Sequence, residues 1–155
     1  MNKIARNTLK AILLVLPLIF SGCKFFSSQA SNSILKIEKS KCYGKCPVYS
    51  AIIDDKKYIK FYPKENTKIK TPSFATVTKS EFKELMRLIK SINIQNLNSV
   101  YDNELLMDVP ATYITFYNGQ NKKKIKLRAN IPKNLRRLIQ ELDKIIESRK
   151  WKSLI

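Results

Sequence analysis

The 155-residue sequence contains no histidine. That absence removes imidazole as a general base, the Ser-His and Cys-His nucleophile couples, and the ligand on which most zinc and copper(II) sites rest. Glycine is scarce, and Gly22, Gly44 and Gly119 stand far apart. No glycine-rich loop exists to cradle a phosphate, so nucleotide-dependent chemistry is not expected. With 3 glycines and 6 prolines there is no low-complexity linker, and no internal repeat is visible, which leaves one folded unit. Negative charge is also short, at 12 Asp and Glu against 30 Lys and Arg. Long apolar runs are missing as well: residues 11–20 (AILLVLPLIF) amount to about half of the roughly 20 residues that a helix needs to span a bilayer.

That short run nevertheless has an informative setting. Lys3, Arg6 and Lys10 precede it, and Ser21, Gly22 and Cys23 follow it, the order of a positively charged region, an apolar region and a small-residue processing site. The segment resembles a bacterial lipoprotein signal peptide, whose lipobox ends at a cysteine; Phe20 stands where leucine is usual. The resemblance implies that residues 1–22 are removed, that the Cys23 thiol receives diacylglycerol, and that the new amino terminus is acylated. Several acyl chains, at about 0.8 kcal/mol per buried CH₂, hold a protein on a membrane where one chain holds it only marginally. The alternative is an ordinary secretory signal with Cys23 just beyond the cut. By resemblance to bacterial sorting rules, Lys24 in place of aspartate favours the outer membrane, with the domain facing the periplasm. Residues 23–33 are polar and serine-rich apart from Phe25 and Phe26 and read as a lipidated tether.

Without Lys3, Arg6 and Lys10 the chain keeps 27 basic and 12 acidic residues, a net +15. Such a field favours anionic neighbours, among them lipid headgroups and cell-wall polymers. Arginine is confined to Arg6, Arg87, Arg128, Arg136, Arg137 and Arg149, and the lysines that supply the rest lack the planar fork that reads phosphate bidentately. Spread along the chain, they read as a solvated surface, and with export expected, nucleic acid is not an expected partner.

From Ile34 to Ile155 the sequence reads as a single α+β domain. Alternating residues 34–38, the β-branched run 48–53 and residues 58–62 predict strands, with a short further strand at 68–70. Thr78-Lys79-Ser80-Glu81 fits a capping box, and Phe82, Leu85, Leu88, Ile89 and Ile92 recur at helical spacing, which predicts a helix to about Ser91. Residues 93–108 read as irregular. Asn118-Gly119 between apolar runs predicts a hairpin, and Pro132 opens a last helix with a stripe of Leu135, Leu138, Ile139, Leu142, Ile145 and Ile146. Trp151 reads as a core plug. The expected architecture is two-layered: an antiparallel sheet of about five strands with two helices packed on one face.

The chemistry concentrates in Cys42-Tyr43-Gly44-Lys45-Cys46-Pro47-Val48-Tyr49. Gly44 can supply a positive φ for a reversal, and Pro47 stiffens the exit. In an oxidising periplasm Cys42 and Cys46 are expected to bond, worth about 2 kcal/mol for so small a loop. A redox-active pair and a thiolate copper(I) site are the alternatives. Tyr49, Tyr101, Asp102 and Asp108 are candidate binding residues. Asp102 and Asp108 also suggest acid and base chemistry, although Asp108-Val109-Pro110 reads better as a turn.

A C-x-G-x-C-P-x-Y signature opening a strand, an acidic-Val-Pro segment before an I-T-F strand, an Asn-Gly hairpin, and a proline-initiated helix closing near tryptophan resemble an uncharacterised bacterial domain family of exported lipoproteins. The matching residues are Cys42, Gly44, Cys46, Pro47, Tyr49, Asp108, Pro110, Thr115, Gly119, Pro132 and Trp151. The resemblance bears on fold and location and implies no activity. The sequence thus predicts an envelope lipoprotein with a non-catalytic binding or scaffolding domain and no cofactor or metal. Its partners would be the membrane, an anionic lipid or cell-wall polymer, or an envelope protein. A thiol redox or copper(I)-handling protein is the alternative.

Overall fold

Eight strands in one sheet and two helices make up the fold, seen in a computed structural model that describes residues 32–103, 105–106 and 108–154. The expected signal peptide, Cys23 and all but the last residues of the tether lie outside these.

The chain begins with β1 (Ser33–Lys39), β2 (Val48–Asp54), β3 (Tyr58–Glu65) and β4 (Ser73–Thr76), followed by helix α1 (Lys79–Lys90) and a 3-10 turn at Ile94–Asn96. Next come β5 (Val100–Tyr101), β6 (Thr112–Asn118), β7 (Asn121–Leu127), helix α2 (Lys133–Ser148) and β8 (Lys152–Ser153). The strand order is β5-β7-β6-β1-β2-β3-β4-β8. Every neighbouring pair is antiparallel except β5 with β7, which is parallel.

The α+β class is as expected, but the sheet of about five antiparallel strands is not: there are eight, and the sheet is mixed. Residues 68–70 lie outside any strand, and the fourth strand falls instead on Ser73–Thr76. The inward residues of this strand are Ser73 and Ala75, too small and too polar to write an apolar period into the sequence. Strands β5 and β8 are two residues each, shorter than one period of alternation. The parallel β5–β7 pair is reached through the helix and loop that separate β4 from β5, a connection that hairpin signals do not report.

Alternation places Leu35, Ile37, Ala51, Ile53, Ile59, Phe61, Ile114 and Ile125 on one face, all buried in the same core as Leu85, Leu88, Leu135, Leu138, Leu142 and Ile145 of the helices. Each leucine, isoleucine and phenylalanine among them contributes about 1.5–3 kcal/mol by leaving water. Both helices therefore cover one face of the sheet, and the other face carries no layer of its own among the described residues.

Local signals act as read at the helix starts. Thr78 caps α1: its Oγ1 accepts from the Glu81 amide at 3.3 Å, and the Glu81 carboxylate accepts from the Thr78 amide at 2.9 Å. Pro132 precedes α2. The β6–β7 hairpin is in register, with Asn118 facing Asn121, so the loop residues are Gly119 and Gln120. Gly119, at φ 60°, supplies the positive φ there, which two-residue hairpin loops favour. The β2–β3 turn is built on buried Asp54, whose Oδ1 accepts from the amides of Lys56 at 3.0 Å and Tyr58 at 2.9 Å.

Candidate functional site

The β1–β2 connection is the cysteine loop. The sulfurs of Cys42 and Cys46 lie 1.97 Å apart, at disulfide distance, with the Cα atoms 5.8 Å apart. Gly44 is not left-handed; the described residues with positive φ are Lys57, Asn66, Gly119 and Asn130. The contribution of Gly44 is instead its amide, which donates to Cys42 Sγ at 3.3 Å. A Cβ at this position would meet Cys42 Sγ at 3.9 Å, ordinary contact. Tyr43, at the tip, is 93% exposed.

Pro47 leads from this loop into β2, where Tyr49 points toward the helices. Its Oη donates to Asp143 Oδ1 on α2 at 3.3 Å, and Lys39 Nζ of β1 donates to Asp143 Oδ2 at 2.9 Å. One carboxylate thus ties two strands to the last helix. Burial pushes the Tyr49 phenol far above its usual range, and the charges of Asp143 and Glu147 add to the shift. The phenol stays a neutral donor, which excludes a tyrosinate role at this position.

Beyond Tyr49 the rings run on in a row. Tyr49 and Phe61 have centroids 4.9 Å apart, and Phe61 and Trp151 5.2 Å apart, both tilted. Trp151 is half-buried, and its indole N–H donates to the Ile146 carbonyl at 3.3 Å. Over this row opens a cleft of about 630 Å³. Its walls are Pro47, Ile69 and Ile146, and its polar rim carries Asn66, Lys68, Glu147 and Arg149. The Asn66 amide group donates to the Cys46 carbonyl at 3.3 Å, so the cysteine loop and the cleft share a wall. Asn66 sits at φ 55°, a conformation asparagine tolerates better than most residues. Arg149 is already committed: it donates to the carbonyls of Ile145 and Thr76 and pairs with Glu81. Lys68 makes no ion pair among the described residues, which leaves its ammonium for a ligand.

The other candidates lie elsewhere. Tyr101 and Asp102 are at β5, separated from β2 by β7, β6 and β1, or roughly 19 Å at strand spacing. The Tyr101 hydroxyl accepts from the Asn98 amide at 3.1 Å. Asp102 is 2.5 Å from Lys126 Nζ and 3.3 Å from Arg128 Nε. The Lys126 hydrogen bond first, then the Asn103 amide and the two cations, hold its carboxyl below the usual range. Its charge is balanced in place by these two cations. Asp108 is exposed in a turn, and the structure does not bring it to the cleft.

Sequence reading missed Asp143, Phe61 and Arg149 as site residues. Asp143 had a signal: an acid beside Leu142 in an apolar stripe, four residues before Glu147, on the edge of the helix that meets the sheet. Phe61 was indistinguishable from ordinary core, and the part played by Arg149 depends on where the chain ends α2.

Among the described residues no group of three or more Cys, Asp or Glu is arranged to hold a metal, and no helix is long and apolar enough to cross a membrane. A search of curated proteins gave no match. A family model does match, over residues 33–146, a span that includes the cysteine loop, Tyr49 and Asp143 and stops short of Trp151. The chain belongs to the family described as domain of unknown function DUF6438.

Proposed function

We propose that this protein is a bacterial envelope lipoprotein, held on a membrane by acyl chains on Cys23 and presenting a non-catalytic binding domain to the periplasm. The order of charge, apolar run, Ser21-Gly22 and Cys23 supports the anchor. The binding half rests on one observation, the cleft over Tyr49, Phe61 and Trp151. Its volume of about 630 Å³ falls within the roughly 300–1,000 Å³ of small-ligand sites, and an apolar floor with a few polar groups at the rim is their usual make-up. The pinned cysteine loop and Asn66 hold one wall in place, which lowers the entropic cost of binding. The occupant is an envelope component with an apolar or ring-shaped portion for the aromatic row and a polar portion for Lys68 and Asn66.

Trp151 is the single tryptophan, so its fluorescence reports on the cleft directly. Titration of the full chain in neutral detergent with fractionated envelope peptides, glycans and lipids is expected to give a saturable change with one fraction, weakened by Lys68→Ala. A folded protein whose emission responds to none of them rules the cleft out as a binding site.

A second reading has its own observation. The Gly44 amide aimed at Cys42 Sγ would stabilise a thiolate there once the bridge is reduced, as redox-active pairs require. The reduction potential separates the two readings.

A further inference from the structure

On the sheet face turned away from the helices, the strand register aligns one side chain per strand in a single row. From β7 to β8 the partners run Lys124 with Thr115, Thr115 with Lys36, Lys36 with Ile52, Ile52 with Lys60, Lys60 with Phe74, and Phe74 with Lys152. Lysine therefore stands on every second strand, and the positions between carry Thr115, Ile52 and Phe74. With strands about 4.8 Å apart, the lysines recur at roughly 10 Å along a line across the sheet. The residues flanking this row along each strand, among them Ile125, Leu35, Ile59 and Ala75, belong to the core on the other side, which fixes the lysines outward.

The row is partly organised in advance. Glu38, one pleat away on β1, lies 3.2 Å from Lys36 Nζ and 3.0 Å from Lys124 Nζ, and Lys124 Nζ also sits 4.7 Å from the Tyr113 ring centroid. One carboxylate shared by two ammoniums, each with three N–H donors, positions them without using up their hydrogen bonds. Lys60 and Lys152 make no ion pair among the described residues. Lys122 and Lys126 share the same face, and its acids among the described residues include Glu38, Asp102, which pairs with Lys126, and Asp54 at the end of β2, which is buried and accepts from the Lys56 and Tyr58 amides.

We propose that this lysine row is a binding track for an extended acidic polysaccharide with one anionic group per two sugar rings, lying across the strands. The line of charges selects a linear polymer over a bilayer, whose headgroups spread in two dimensions and need no row. The wide spacing disfavours nucleic acid, which carries a charge about every 3.4 Å along each strand of a duplex. Ile52 and Phe74, between the lysines, offer apolar surface to the C–H faces of the sugars. The track is on the opposite side of the sheet from the cleft and is independent of what the cleft holds.

The test uses the full chain in neutral detergent and hyaluronan, with one carboxylate per disaccharide, as the probe. Binding is expected to fall steeply with salt and to be absent for neutral dextran. Lys60→Ala and Lys152→Ala, which break no ion pair, should each weaken it about five-fold, and Lys144→Ala on the exposed side of α2 should leave it unchanged. An absence of binding to hyaluronan overturns the proposal. So does an equal loss from Lys144→Ala, which would mean general charge attraction. Tighter binding to phosphatidylglycerol vesicles or to oligothymidylate than to hyaluronan would assign the face to membrane or nucleic acid instead.

Discussion

Tyr49 and Asp143 meet at 3.3 Å across 94 residues of sequence, phenol to carboxylate, and Lys39 closes the same carboxylate from the other side. The contact fastens α2 to β2 where the cleft begins, so the geometry of the aromatic row depends on it. Tyr49→Phe is expected to cost about 1 kcal/mol, the net value of one hydrogen bond. Asp143→Ala should cost up to about 3 kcal/mol, because it leaves a buried phenol and an ammonium without their acceptor. The double variant should lose less than the sum of the two. Urea unfolding measures all three, and strictly additive losses would show that the contact carries no coupling.

Glu81 links the two helices: it completes the cap of α1 and pairs with Arg149 beyond α2. Burial pushes its carboxyl upward, but the Thr78 hydroxyl and amide and the Arg149 guanidinium together outweigh that and hold it below the usual range. A folded value below the unfolded one, near 4.3, means that the ionised group adds stability at neutral pH. That stability is lost as pH falls through the folded value. Glu81→Gln is therefore expected to be less stable than the parent at pH 7 and to approach it below about pH 4. A stability gap that stays constant from pH 7 to pH 3 would contradict the linkage.

Wherever one residue type repeats at one period, the fold was legible. The β-branched run of β2, the alternation of β1, the capping box of α1 and the stripe of α2 each announce an element through a local regularity. Ser73–Thr76 and the two-residue strands β5 and β8 have no such regularity, and they exist because a neighbouring edge supplies hydrogen-bond partners. The site was half legible. Cys42, Cys46, Pro47, Tyr49 and Trp151 stand out by type, and the first four lie in one loop and strand. The partners that give Tyr49 its setting, Asp143 and Phe61, come from other elements, and nothing short of the tertiary fold pairs them. The lysine row is hidden for the same reason: Lys36, Lys60, Lys124 and Lys152 fall into line only when six strand registers are known together.

Cys23 and the proposed anchor are tested on the native protein. Detergent-phase partitioning with intact-mass analysis should find a chain that begins at Cys23 and carries acyl mass. Cys23→Ser is expected to remain an uncleaved precursor. A cleaved, soluble and unacylated chain would restore the ordinary secretory reading.

The Cys42–Cys46 bridge closes a loop of only a few residues, so the entropy it removes from the unfolded chain is small, about 2 kcal/mol. Replacing both with serine should lower stability by no more than that and leave the fold intact, because β1 and β2 are held by their own ladder and by Asp143. Gly44→Ala should be nearly neutral, since Gly44 is not left-handed and a Cβ finds ordinary contact. Thiol labelling of fresh envelope material should detect no free Cys42 or Cys46 before reductant is added. The reduction potential is expected below about −300 mV, where structural bridges lie, and a value between about −120 and −270 mV belongs to working oxidoreductases. A value in that upper window, together with Gly44→Pro raising the Cys42 thiol pKa by removing the amide at 3.3 Å from its sulfur, would move the function from binding to thiol exchange. A potential below −300 mV leaves the bridge as the brace of the cleft wall, and in that case the serine pair should weaken occupancy of the cleft more than it weakens the fold.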